Sequence, residues 1–155
     1  MTDDDLSRQS LLELFREEAA TQTRVLSDGL LALEQRPADS AALDACMRAA
    51  HSLKGAARII GLQDGVDIAH VMEECFVGAQ RGELSLTPAH IDVLLRGVDL
   101  LLRVGEAKPQ MMADASVTRA DIDEFAQRLA SPASGASLSR DDAAPRGGDD
   151  DADAY

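Results

Sequence analysis

Apolar residues recur every three or four positions along most of the chain, which is the spacing of amphipathic helices. The pattern predicts four long helices and a short fifth one, over approximately 5–34, 40–60, 63–81, 88–104 and 118–130. Pro37, Gly61 and Gly82 end the first three helices, and Thr118 with Asp121 three residues later is a candidate capping box for the fifth. The short connections favour antiparallel neighbours. No alternating pattern of the strand type competes. The sequence therefore predicts an all-α protein, an antiparallel up-and-down four-helix bundle with a short fifth C-terminal helix.

The composition changes at Ser131. From there Ser, Ala, Pro, Gly and Asp dominate, and Leu138 and Tyr155 are the only large apolar residues. A segment of this kind cannot bury enough apolar surface to offset the entropy lost on ordering. We predict one domain over 1–130 and a disordered acidic tail over 131–155. Such a linker also suggests that the chain is part of a longer protein.

Charge and composition exclude several kinds of partner. The formal net charge is −13, which disfavours nucleic acid and anionic membrane surfaces. The N-terminal residues are acidic where a signal peptide needs basic ones, and no run of 18 apolar residues exists. We therefore expect a cytoplasmic protein with no membrane insertion. Cys46 and Cys75 lie on or beside apolar helical stripes and are expected to be buried free thiols.

The second predicted helix carries the first candidate for chemistry. At about 100° per residue, His51, Lys54, Gly55 and Arg58 fall on one narrow face. Gly55 costs roughly 1 kcal/mol relative to Ala within a helix, so its presence requires a reason. A glycine beside a histidine leaves room for another molecule to approach the imidazole. His90, in the first turn of the fourth helix, is expected to be an ordinary surface residue.

The third predicted helix carries the second half of the site. His70 and Glu73 are three residues apart and share a face. In an antiparallel pair joined by a tight turn at Gly61, Glu73 lies level with His51, and His70 lies level with Lys54. A carboxylate that accepts the Nδ1 proton of a histidine leaves the Nε2 lone pair free as a nucleophile. A lysine one turn away can hold phosphoryl oxygens.

The sequence contains no GxxxxGK[ST] motif and no glycine-rich phosphate loop, so we expect neither ATP binding nor kinase activity in this chain. A metal-carboxylate bundle would need Glu-x-x-His pairs on two helices, whereas the chain has only Asp67-x-x-His70. We therefore predict no metal site. A helical adaptor or dimerisation module that is not phosphorylated stays as an alternative. It explains the bundle but not Gly55 or the paired acid.

Two stretches carry a resemblance to a known family, namely Ala50-His51-Ser52-Leu53-Lys54-Gly55 and His70-x-x-Glu73. They resemble the histidine phosphotransfer (HPt) family, and most of all the N-terminal phosphotransfer domain of CheA-type chemotaxis histidine kinases. The similarity covers roughly residues 6–130. It implies a four-helix bundle with a fifth helix. A free-standing HPt relay protein is the nearest variant.

The resemblance also implies roles for the partners and for the site residues. His51 would be phosphorylated at Nε2 by the ATP-binding domain of the kinase, which uses ATP and Mg²⁺ in trans. The phosphoryl group would then pass to an aspartate on a response-regulator receiver domain resembling CheY or CheB. By the same resemblance Glu73 orients His51, while His70 and Lys54 complete the hydrogen-bond network.

The chain departs from the family pattern at two places. Ala56 stands where many relatives have a second glycine, and Arg58-Ile59-Ile60 is not the usual sequence. Because Arg58 lies on the face expected to meet partners, it is a candidate for docking of the regulator.

Overall fold

The computed structural model describes residues 2–106 and 117–131. It contains five helices, which are α1 (Asp3–Gln35), α2 (Ser40–Ile59), α3 (Gln63–Gln80), α4 (Pro88–Glu106) and α5 (Arg119–Ala130). The first four contact one another in a ring, α1 with α2, α2 with α3, α3 with α4, and α4 with α1, and α5 packs on α3 and α4. The predicted all-α bundle with a fifth helix is confirmed. From residue 132 onward, the predicted tail lies outside the described residues.

The interior consists of aliphatic side chains around three fully buried phenylalanines, Phe15, Phe76 and Phe125. Glycine lets α5 approach α4 closely, because a Cβ at Gly97 would stand 2.7 Å from Cζ of Phe125. This contact anchors the fifth helix to the bundle. Among the described helices, none combines the length and the apolar character needed to span a membrane.

Both cysteines are free and buried, as the sequence predicts. Burial raises the pKa of the Cys46 thiol to about 12 and that of the Cys75 thiol to about 11. Both thiols therefore stay protonated at neutral pH and act as small apolar groups in the core.

The turn between α2 and α3 is tight because a glycine adopts the left-handed conformation. Gly61 has φ +76°, and its N–H donates to the carbonyl of Arg58 at 3.2 Å. The N–H of Leu62 donates to the carbonyl of Ala57 at 2.9 Å. This pair of hydrogen bonds is the Schellman motif, which satisfies the last carbonyls of α2. Since α3 begins at Gln63, the turn sets how the two helices lie against each other.

The N-terminal ends of the helices agree with the expected cap of α5 and differ from the expectations for α1 and for His90. Thr118 and Asp121 form the predicted capping box of α5. By contrast, α1 begins earlier than the predicted start after Asp4 or Asp5, because Thr2 caps it in a second capping box. His90 is not an ordinary surface residue. Its Nδ1 accepts the N–H of Thr87 at 3.1 Å, and this contact helps to close the first turn of α4.

Candidate functional site

The antiparallel packing of α2 and α3 brings His51 and Glu73 together, as their similar distances from the turn predict. Nδ1 of His51 lies 2.9 Å from Oε1 of Glu73. An ionised carboxylate only accepts hydrogen bonds, so Nδ1 carries the proton. The neutral ring then has its lone pair on Nε2. The His51 side chain is 65% exposed and that of Glu73 only 15%, so the carboxylate lies beneath a ring that faces solvent.

Lys54 holds the other oxygen of the same carboxylate. Its ammonium lies 2.5 Å from Oε2 of Glu73, and the lysine side chain is only 16% exposed. Oε2 is buried and has no hydrogen bond of good geometry among the described residues, so the contact with Lys54 is an ion pair of imperfect direction. A buried carboxylate is costly unless a cation accompanies it, and Lys54 supplies that cation. The ammonium thus contacts Glu73, and its predicted contact with a phosphoryl group stays a prediction.

The electrostatics keep Glu73 ionised. Burial acts to raise the pKa of its carboxyl, but the contacts with Lys54 and His51 outweigh burial and hold that pKa below its ordinary value. A carboxylate that stays charged next to Nδ1 stabilises positive charge on the imidazole ring. The arrangement therefore favours attack by Nε2 on an electrophile.

His70 is not part of this network. Its Nε2 lies 3.2 Å from Oε1 of Glu74, one turn further along α3, and its side chain is half exposed. Spacing alone did not distinguish Glu73 from Glu74 as the partner of His70. In the structure, one oxygen of Glu73 contacts His51 and the other contacts Lys54. The expected contact of His70 with the His51 network is therefore corrected. His70 instead lines a shallow groove of about 380 Å³ beside Lys54 and Glu73.

Gly55 and Arg58 lie on the open side of α2. A Cβ at Gly55 would meet no atom within 4 Å, so packing within the domain does not require a glycine there. Instead, the missing side chain of Gly55 leaves open space on the helix surface beside the His51 ring. Arg58 is exposed in the last turn, where a cation interacts favourably with the helix dipole.

One contact on α3 was missed by sequence reasoning. Asp67, considered only as part of a metal motif, receives Arg119 of α5 at 2.5 Å and the amide of Gln63 at 2.8 Å. Within the described ranges, no group of three or more His, Cys, Asp or Glu side chains is placed to hold a metal ion. The Gln63–Asp67 spacing of four residues was a visible signal, whereas the Arg119 contact spans 52 residues and had none.

Comparison with known families decides the relationship. Residues 10–104 match the family described as "Hpt domain". The chain belongs to the HPt family. The matched range contains His51, Lys54, Gly55 and Glu73, and it ends within α4.

Several proteins similar to this chain are chemotaxis proteins. The chain is 29% identical over 128 residues to chemotaxis protein CheA of Borreliella burgdorferi, which covers 81% of this chain and 14% of the relative. It is 30% identical over 150 residues to CheA of Halobacterium salinarum, covering 92% and 22% respectively. It is 36% identical over 98 residues to sensor histidine kinase CheAY of Helicobacter pylori, covering 63% and 12%. The chain thus spans less than a quarter of each of these relatives, and the similarity relates it to phosphorelay signalling.

Proposed function

We propose that this HPt domain carries a phosphoryl group on Nε2 of His51. The donor is the ATP-binding domain of a CheA-type kinase, and the acceptor is an aspartate of a receiver domain resembling CheY or CheB. The observation that carries the proposal is the 2.9 Å contact between Nδ1 of His51 and Oε1 of Glu73 under an exposed ring. The kinase operates on ATP, so we place the reaction in the cytoplasm.

The transfer can be written with its bonds in balance. The Nε2 lone pair attacks the γ-phosphorus of an ATP that the kinase domain holds with Mg²⁺, the bond to the bridging oxygen breaks, and ADP leaves. The Nδ1 proton stays in place, and the charge that develops on the ring is stabilised by Glu73. In the second step a carboxylate oxygen of the receiver attacks phosphorus, the P–N bond breaks, and Nε2 regains its lone pair.

Each site residue has a role in this proposal. Glu73 fixes the tautomer and orientation of His51, and Lys54 keeps Glu73 charged. Because Lys54 contacts the same carboxylate as His51, its ammonium would also attract phosphoryl oxygens bound at the ring. Gly55 gives the partner access to the ring. The two alternatives are a free-standing HPt relay and an adaptor that is not phosphorylated, and only the adaptor leaves the His51–Glu73 contact without a purpose.

The test is phosphorylation by a CheA-type kinase core that lacks its own phosphotransfer domain, with radiolabelled ATP. We expect label on the wild-type chain that is lost in acid and survives base, as expected of a phosphohistidine. His51→Gln should take no label. His70→Gln is the matched control, since His70 is also exposed but pairs with Glu74 and not with Glu73, and it should label like the wild type. Equal labelling of His51→Gln and wild type would contradict the proposal and favour the adaptor.

A further inference from the structure

The last turns of α2 expose a large apolar side chain. Ile59 is 79% exposed, more than any other large hydrophobic residue in the described part of the chain. A single exposed apolar residue is common on protein surfaces and means little by itself. The neighbouring Ile60 is half-buried and packs on the core, so the α2–α3 junction does not depend on Ile59 for its apolar contact. Its position relative to His51 is what makes Ile59 informative.

Ile59 shares an exposed surface with the nucleophile. Eight residues along a helix correspond to about 12 Å, and a rotation of about 100° per residue places Gly55 between His51 and Ile59 around the helix. His51, Arg58 and Ile59 are exposed, and a Cβ at Gly55 would meet nothing. We call the surface formed by His51, Gly55, Arg58 and Ile59 the α2 platform. Gly55 leaves the middle of this surface without a side chain, and Ile59 makes one end apolar.

The charge of the α2 platform differs from that of the rest of the chain. Helix α2 carries three basic residues against one acid, whereas the whole chain has a net charge of −13. Arg48 is paired with Asp44 and Lys54 with Glu73, while Arg58 takes part in none of the ion pairs among the described residues. The platform therefore fits a partner that combines an apolar contact with an acidic rim.

Of the two partners in the proposed function, the receiver fits this surface. In the first step the transferred phosphoryl is the terminal group of a nucleotide, so the ring of His51 meets ATP and not a side chain of the kinase. A receiver instead accepts the phosphoryl group on an aspartate of its own fold, so its surface must come against α2 during transfer. Its acidic phosphoacceptor site also complements Arg58.

We propose that Ile59, assisted by Arg58, is the apolar anchor that selects the receiver domain and contributes little to phosphorylation by the kinase. The inference rests on the proposed function of His51. Loss of one well-packed apolar anchor typically weakens an interface about tenfold or more. The expected signature is a higher KM for the receiver in the transfer step with an unchanged rate of His51 phosphorylation.

The experiment uses the full chain, first labelled by the kinase core and then mixed with a CheY-like receiver and Mg²⁺ under rapid quench. Ile59→Ser should raise the receiver KM about tenfold and leave the labelling rate by the kinase at the wild-type value. Arg58→Gln should slow transfer most at low salt. Leu31→Ser is the matched control, because Leu31 is 55% exposed on α1, and it should change neither step.

The outcomes separate the two proposals. If the wild type labels normally and Ile59→Ser transfers with an unchanged KM, Ile59 is not an anchor while the role of His51 stands. If Ile59→Ser slows labelling and transfer equally, the platform does not select the receiver and the inference is wrong. If the wild type takes no label at all, the proposed function itself fails.

Discussion

Two carboxylates on α3 each meet a cation from another helix, and they lie fewer than two turns apart. Asp67 contacts Arg119 of α5, and Glu73 contacts Lys54 of α2. In both, burial acts to raise the pKa of the carboxyl, and the polar contacts outweigh burial and lower it. By charge, helix and direction of the pKa shift, the two acids are alike.

They differ in whether a partner of the carboxylate keeps a free lone pair. Gln63 donates to one oxygen of Asp67 and the protonated Arg119 donates to the other, so both carboxylate oxygens are engaged and neither partner offers a free nitrogen lone pair. Nδ1 of His51 donates to Glu73, while Nε2 of the same ring keeps its lone pair. A lowered carboxyl pKa therefore indicates an ion pair at both positions. Only the ion pair of Glu73 includes a histidine, and that histidine makes it a candidate reactive site.

Replacing each acid in turn with alanine tests the difference between the two carboxylates most directly. Glu73→Ala should slow phosphorylation of His51 by about 10- to 100-fold, the range found when the carboxylate that orients a metal-bound histidine is lost. Asp67→Ala should leave the rate within about twofold and lower only the unfolding midpoint, since it removes the ion pair that joins α3 to Arg119 of α5. Labelling rates with circular dichroism as the folding control decide the matter. Equal rates in the two variants would make Glu73 a purely structural residue.

A smaller effect is expected from the backbone of the α2 platform. Gly55→Ala should stabilise the domain by about 0.5–1 kcal/mol, because Ala favours the helix and its Cβ meets no atom within 4 Å. The same methyl group should slow phosphoryl transfer several-fold by standing beside the ring. Denaturant unfolding and transfer assays measure the two effects, with exposed Ser52→Ala as the control. A stabilised variant with unchanged transfer would remove access as the reason for the glycine.

The smallest effect concerns acid, where the two carboxylates should behave alike. A folded pKa below the unfolded one means that the unfolded state binds more protons at low pH. The stabilising contribution is therefore complete above the ordinary values of 4.5 for Glu73 and 3.8 for Asp67, and is lost as the pH falls through the folded pKa. Unfolding curves of Glu73→Ala and Asp67→Ala should approach the wild-type curve in acid. A constant gap down to pH 2 would contradict the lowered pKa values.

Much of the fold was predictable from local patterns. Periodicity located the five helices, and glycine at the end of α2 and Thr118 with Asp121 at the start of α5 marked helix ends through their own chemistry. The pairing of His51 with Glu73 was also predictable, because two residues at similar distances from a tight antiparallel turn must lie level.

Other contacts were beyond the sequence for physical reasons. The choice of His70 between Glu73 and Glu74 depends on which oxygens are already occupied, and spacing does not encode that. The ion pair of Arg119 with Asp67 joins helices far apart in the chain. The cap that His90 provides was missed because a histidine in the first turn of a helix is expected to be an ordinary surface residue, while its neutral ring nitrogen also accepts a backbone N–H.

The two-hydrogen-bond turn at Gly61 has a consequence for building hybrid signalling proteins. Because α3 begins directly after this turn, one residue inserted into α3 before Glu73 would rotate Glu73 by about 100° and shift it by about 1.5 Å relative to His51. The nucleophile and its acid therefore have to be transplanted as one cassette, α2 together with α3. Crossover points for chimeras belong before Asp39 or after Gly82, where a change of length leaves the pair intact.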